Sequence, residues 1–274
     1  MNLELGTAWA STYRKDPTLA IEWFHKAAHQ GYAKAYFNLG AAYYNGDGVS
    51  VDDGASCVWF MLAAEAGDPN GQQAIARTRS EAAPDRIVHC EALTASAYLR
   101  GELIKQDLAR AVQWYTKSAN SDDSFACEQL AYLYDRRLGV QRDKQQSFNW
   151  LKRSADLGYT PAVFELGMAY EAGDAVPKDL NRAKKLYERA AHTGEPNALL
   201  ALGNLYTEGR GVKPDRQKAF MFYVLAADHG STDGKHRAEE LEKQLTPKQI
   251  AAAKQEALHF VQGNSKKPML MVLK

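Results

Sequence analysis

Small and large apolar residues return along this chain at fixed distances from six aspartates: Asp16, Asp52, Asp107, Asp143, Asp179 and Asp215. The spacings between them are 36, 55, 36, 36 and 36 residues. Four residues after each aspartate stands a small side chain: Ala20, Ser56, Ala111, Ser147, Ala183 or Ala219. Seven after stands a large apolar one: Trp23, Trp59, Trp114, Trp150, Leu186 or Phe222. Eight after comes Phe24, Phe60, Tyr115, Leu151, Tyr187 or Tyr223, and twelve after comes alanine in all six copies. These offsets trace one stripe of an α-helix with 3.6 residues per turn. The aspartate suits the N-cap, where its carboxylate accepts an orphan backbone N–H. Proline at Pro17 suits the first helical position. Fifteen residues after the aspartate comes Gly31, Gly67, Gly158, Gly194 or Gly230, with Asp122 as the exception. Glycine fits the left-handed position that ends a helix. The pattern therefore predicts one helix per copy, termed helix B.

A second helix precedes each helix B. Nine residues before the aspartates stand Tyr43, Tyr98, Tyr134, Tyr170 and Tyr206. Further upstream come Leu39-Gly40, Leu130-Ala131, Leu166-Gly167 and Leu202-Gly203. This is helix A. A glycine at its centre costs helix propensity but lets helix B approach closely. The connecting loop reads Gly46-Asp47-Gly48-Val49 and Gly209-Arg210-Gly211-Val212, with degraded forms at Gly173-Asp174-Ala175-Val176 and Leu138-Gly139-Val140. Its glycines allow tight turning, and its valine is placed to plug the loop from beneath.

Leu-Gly, then Tyr, Gly-x-Gly-Val, Asp, Ala, Trp and Ala-Ala-x-x-Gly resembles the Sel1-like repeat, a relative of the tetratricopeptide repeat. A 34-residue tetratricopeptide array lacks the Gly-x-Gly-Val extension, and the near-neutral charge disfavours a pentatricopeptide array. Two copies depart from the pattern. The first, from Leu5-Gly6 to Asp16, has a short loop, and the third has Thr94-Ala95 where Leu-Gly is expected. The fold the resemblance implies is all-α, a right-handed α-solenoid of helix–turn–helix repeats with a mid-chain inserted helix and a C-terminal capping helix. Two helices per repeat plus these additions give about 13 or 14 helices.

The 55-residue spacing leaves room for about one extra helix and a turn. The sequence from Gly67 onward parallels that from Gly230 onward: Gly71 meets Gly234, Pro84 meets Pro247 and Ile87 meets Ile250. Ala83-Pro84-Asp85 and Thr246-Pro247-Lys248 both read as helix starts. The segment is either a second cap inside one continuous core or a simple insertion that bends the array; the sequence is equally consistent with both. The organisation is two repeats over 1–67, a cap-like helical segment over 68–92, four repeats over 93–230, a C-terminal cap over 231–263 and a tail over 264–274.

Composition narrows the function more than the fold. The 274 residues are 45% hydrophobic, which is enough for a sizeable core. Charged residues make up 24% and nearly cancel, to a formal net charge of +1. A phosphate-gripping protein shows a basic surplus, so nucleic acid is not an expected partner. No apolar run reaches the roughly 18 residues needed to span a bilayer, so membrane insertion is not expected. Cys57, Cys90 and Cys127 are odd in number and form no CxxC pair, which argues for reduced thiols rather than a disulfide framework. The N-terminal residues show no basic stretch followed by an apolar run, so the expected compartment is the cytoplasm. A leader already removed would instead mean the periplasm or secretion.

Catalytic chemistry finds no foothold in the residues. His25 and His29 stand at i and i+4, a spacing able to bind zinc, but no third ligand and no HExxH accompany them. They read as surface histidines, as do His229 and His236. The six aspartates lie on different repeats and serve capping, not paired acid–base work. No GxSxG, P-loop or GxGxxG motif occurs. The tryptophans keep one register, which assigns Trp59, Trp114 and Trp150 to the core. The expectation is therefore a non-enzyme without cofactor or metal.

The resemblance also implies a binding surface, because A helices line a concave groove in tetratricopeptide-like arrays. Anchored on the Leu-Gly pair, groove positions are Lys34, Phe37, Ala41, Tyr44 and Asn45 in the second repeat, and Phe125, Glu128, Tyr132, Asp135 and Arg136 in the fourth. The fifth repeat gives Pro161, Phe164, Met168, Glu171 and Ala172, and the sixth Asn197, Leu200, Asn204, Thr207 and Glu208. Phe37, Tyr44, Tyr132, Phe164, Met168 and Leu200 make an apolar stripe that the repeat does not require. Glu128, Asp135, Glu171 and Glu208 outnumber Lys34 and Arg136. Aromatic anchors with an acidic rim suit a protein or peptide ligand carrying lysine or arginine. The expected function is a protein-binding scaffold or adaptor. The alternatives are an immunity protein that neutralises a secreted toxin and, further off, a metal-dependent hydrolase using His25 and His29.

Overall fold

The computed structural model describes residues 16–81 and 84–264. The expected helix A of the first repeat, with Leu5-Gly6, the linker residue Ala83 and the tail from residue 265 lie outside them. The chain is all-α, with fourteen helices and no strand among the described residues. It divides into two compact units, residues 1–143 and 144–274. The first holds α1 (Pro17–His29), α2 (Ala33–Asn45), α3 (Asp53–Glu65), α4 (Pro69–Glu81), α5 (Pro84–Arg100), α6 (Leu108–Asn120) and α7 (Ser124–Arg136). The second holds α8 (Lys144–Asp156), α9 (Thr160–Ala172), α10 (Leu180–Ala191), α11 (Pro196–Glu208), α12 (Arg216–Asp228), α13 (Thr232–Glu242) and α14 (Pro247–Asn264).

The conserved spacing of the aspartates has a double cause. Their carboxylates accept from the backbone N–H three residues on, at 3.1 Å for Asp16, 2.9 Å for Asp52, 3.0 Å for Asp107, 2.9 Å for Asp179 and 3.0 Å for Asp215. Their own N–H groups reach back across the loop to the tyrosine nine residues earlier. Asp52, Asp107, Asp143, Asp179 and Asp215 donate to the carbonyls of Tyr43, Tyr98, Tyr134, Tyr170 and Tyr206 at 2.9–3.2 Å. One residue thus starts helix B and fastens the loop to the end of helix A. At the far end of helix B the five glycines take φ between 83° and 92°, and Asp122 takes the same left-handed turn at φ 63°. Aspartate tolerates that region better than most residues, which explains how the third repeat keeps its turn without glycine.

Burial corrects one expectation. The position eight residues after the aspartate is the core site in five of the six copies: Phe24, Tyr115, Leu151, Tyr187 and Tyr223 are buried, and Phe60 is half-buried. The position seven after is not. Trp59 is fully enclosed, but Trp114 and Trp150 are only half-buried and Trp23 is 50% exposed. That position lies at the edge of the stripe, so it is covered only where another element wraps over it. Tyr36 and His25 do so for Trp59, with ring centroids 5.9 and 5.4 Å away. At the less covered sites a cation caps the ring instead: Lys26 on Trp23, Lys117 on Trp114 and Arg153 on Trp150.

The mid-helix glycines act as anticipated. A Cβ on Gly40 would stand 2.6 Å from the Phe60 ring, and one on Gly167 would stand 2.6 Å from the Tyr187 ring. The Tyr187 ring cannot yield, because it is buried and its hydroxyl donates to Glu171 Oε2 at 2.6 Å. In Gly167→Ala the gain in helix propensity, about 1 kcal/mol, opposes an overpacking cost of about 1–3 kcal/mol. We expect a net loss of up to about 2 kcal/mol in chemical denaturation, relieved by adding Tyr187→Leu. A stabilised single variant would show that α9 and α10 do not approach this closely.

The extra residues of the long spacing form α4, and α5 follows as an unbroken helix across residues 92–93. Helix A of the third repeat is therefore the C-terminal half of a longer helix. The parallel with the chain's end holds in space. Gly71 lets α4 onto α3 (a Cβ would meet Ala63 Cβ at 2.6 Å), and Gly234 lets α13 onto α12 (Ala226 Cβ at 2.7 Å). The second helix of each hairpin also packs on the same partner, α5 on α3 and α14 on α12.

The reduced-thiol expectation fails for two cysteines. Cys57 on α3 and Cys90 on α5 form a disulfide, with Cα atoms 5.8 Å apart. They are 33 residues apart in sequence, and only the out-and-back path of α4 and α5 brings them together. Cys127 is buried outside this bond.

Candidate interaction surface on the A helices

The leucines that anchor helix A, Leu39, Leu130, Leu166 and Leu202, are all buried. The proposed surface positions lie two and five residues to either side and six residues after, on the stripe next to the buried one. Within the first unit this leaves Tyr44 60%, Tyr132 46% and Phe125 37% exposed. Within the second, Met168 is 43% exposed. Phe37, Phe164 and Leu200 are only half-buried, and two of them are engaged inside their own repeats. Phe37 packs on Phe60 and Phe164 on Tyr187, both at 5.6 Å between ring centroids.

Most of the polar members are already committed within the protein. Asp135 pairs with Arg142 at 3.0 Å and with Arg136 at 3.7 Å. Glu171 pairs with Arg210 and accepts from the Tyr187 hydroxyl; burial pushes that phenol up to about 12, which keeps it a donor. Arg210 also lies 2.7 Å from Glu208. Burial raises the Glu128 carboxyl, and the Gln129 amide at 2.7 Å partly offsets this. Asn204 Oδ1 accepts from the Tyr223 hydroxyl at 2.9 Å. The acidic rim read from the sequence is thus largely neutralised. Its counter-ions Arg142 and Arg210 come from the A–B loops, which a tally of helix A positions leaves out. The Gly-Arg-Gly-Val loop was the available signal for Arg210.

His25 is half-buried rather than on the surface, edge-on to Trp59 and Tyr43. Burial lowers its basicity, and nearby His29 lowers it further. Among the described residues no group of three or more His, Cys, Asp or Glu side chains could hold a metal ion. None of the described helices is long and apolar enough to cross a membrane.

Comparison with known proteins agrees with this architecture. The sequence matches the Sel1 repeat six times, over residues 6–32, 33–68, 89–123, 124–159, 160–194 and 196–231, well over half of the chain. The chain belongs to the Sel1 repeat family. Sel1 repeats form a protein-interaction fold that is generally non-enzymatic. A protective antigen present in uropathogenic Escherichia coli strains is similar at 29% identity and TM-score 0.57, over 93% of this chain. This chain spans 59% of the length of that antigen. A Sel1 repeat protein from Oxalobacter formigenes shares the fold at 22% identity and TM-score 0.58, over 96% of this chain and 97% of its own. An immunity protein from Pseudomonas aeruginosa is more distant, at 19% identity and TM-score 0.37 over 81% of each chain, too loose a likeness to bear on function. No curated protein matches the sequence significantly. The third match begins at residue 89, inside α5, so α4 and the start of α5 stand outside the Sel1 pattern.

Proposed function

We propose that this Sel1 repeat chain is a non-catalytic adaptor that holds a protein or peptide against the exposed faces of its A helices. The observation that carries the reading is the exposure of Tyr44, Tyr132 and Met168 at positions the repeat leaves unconstrained. Large apolar side chains held open on a folded helix commonly mark an interaction surface. Because Asp135 and Glu171 are paired internally, apolar burial is the main source of affinity here. Lysine or arginine on the partner contributes less than the sequence suggested. The Cys57–Cys90 disulfide supports an oxidising compartment, the periplasm or the cell exterior, over the cytoplasm.

Once a native partner is identified by pull-down, calorimetry tests the surface directly. Tyr44 and Tyr132 are exposed, so Tyr44→Ala combined with Tyr132→Ala should leave the circular dichroism and melting curve unchanged. Binding should weaken by at least 2 kcal/mol, about thirtyfold. A double variant that binds like the parent would remove the A-helix face from consideration.

A further inference from the structure

The hairpin that interrupts the repeats creates a feature with no counterpart in a regular array. α4 packs on α3, α6 packs on α5, and a cavity of about 340 Å³ lies between them. Its apolar lining comes from Met61 and Ala64 of α3, Ile75 and Ala76 of α4 and Trp114 of α6. Met61 and Ile75 belong to the cluster that surrounds Cys57 and Cys90, and Trp114 packs against it. The position seven residues after Asp107 is thus partly open because it borders this cavity.

The polar groups around the opening divide into satisfied and unsatisfied ones. Glu65 accepts from the Tyr98 hydroxyl at 2.6 Å and from Trp114 Nε1 at 3.3 Å, and it faces Arg110 at 3.6 Å. Lys117 lies over the Trp114 ring and pairs with buried Glu91 at 3.0 Å. Arg79, exposed on α4, has no ion pair among the described residues. An apolar pocket with a guanidinium at its mouth that no described residue compensates complements an apolar group beside a carboxylate.

The chain carries its own comparison. At the offset that aligns the two hairpins, Ala76 corresponds to Glu239 and Arg79 to Glu242. In that second copy Glu242 lies 3.8 Å from Lys254. The hairpin fold therefore accepts acid at both places. A small residue at 76 and a cation at 79 are features of the first copy alone, where α6 completes a pocket.

We infer that this cavity is a second binding site, distinct from the A-helix face, for a linear peptide segment with a bulky apolar residue flanked by Asp or Glu. The apolar side chain fills the space between Met61, Ile75 and Trp114, and a flanking carboxylate meets Arg79. Two peptides labelled at the N-terminus with fluorescein through a Gly-Gly spacer test this on the full chain in low salt: fluorescein-Gly-Gly-Asp-Leu-Phe-Asp-amide and fluorescein-Gly-Gly-Lys-Leu-Phe-Lys-amide. Fluorescence polarisation should show binding of the acidic peptide at least tenfold tighter than the basic one. Arg79→Glu should abolish that preference, and Ala76→Phe, which fills the pocket, should remove binding of both. Both positions are exposed, so the variants should keep the parent melting temperature. Equal binding of the two peptides, no binding of either, or an acidic preference that survives Arg79→Glu would overturn the assignment. None of these outcomes bears on the Tyr44 and Tyr132 surface.

Discussion

Trp59→Ala is expected to cost about 3–5 kcal/mol, the usual loss on emptying a large enclosed site. Trp59 has 0% exposure and sits where three parts of the first unit meet: α1 through His25, α2 through Tyr36 and its own α3. Neither neighbouring ring can refill the space without giving up its own packing, so relaxation should recover little. Trp150→Ala should cost clearly less, since that ring is half-buried and flanked by Arg153. Urea denaturation of the two variants side by side measures the difference. Equal losses would mean that the seventh position is a uniform core site after all.

The second large effect concerns the disulfide. Closing a loop of 33 residues removes unfolded-chain entropy worth about 3–4 kcal/mol in the chain-entropy model. Cys57→Ala with Cys90→Ala, or reduction of the parent by dithiothreitol, should lower the melting temperature of the first unit. Reduction should have no further effect on the double variant, because the remaining Cys127 is buried outside the bond. A parent whose melting is unmoved by reductant would show that the two thiols are not joined. The loss should be concentrated around α3, α4 and α5, whose apolar contacts surround the bond, and hydrogen exchange would locate it.

The contrast between these two cases shows what periodicity can and cannot convey. The 36-residue recurrence gave helix B, helix A, the capping role of the aspartates and the close approach at Gly40 and Gly167. All of these are local or repeated, so each copy testifies to the others. Trp59 and Trp150 occupy the same repeat position, yet one is sealed and the other is not, because coverage at the edge of the stripe depends on the particular neighbour. The A-helix surface divides in the same way. Its apolar members could be read by register from one anchor, and Tyr44, Tyr132 and Met168 do stand exposed. Its charge could not, because Arg142 and Arg210 arrive from loops outside that register and cancel Asp135 and Glu171.

By itself, then, the sequence determined the repeat, its helical pairs, the position of the interruption and its kinship with the C-terminal hairpin. Short-range rules of capping, helical period and turn geometry act within some forty residues and leave their mark on every copy. Only the tertiary structure decided that Cys57 meets Cys90, that the acidic rim is internally paired, and that α3, α4 and α6 leave a pocket below Arg79. Each of those depends on where α4 and α5 or a loop returns in space and on residues that differ from one copy to the next, so no other copy reports the contact.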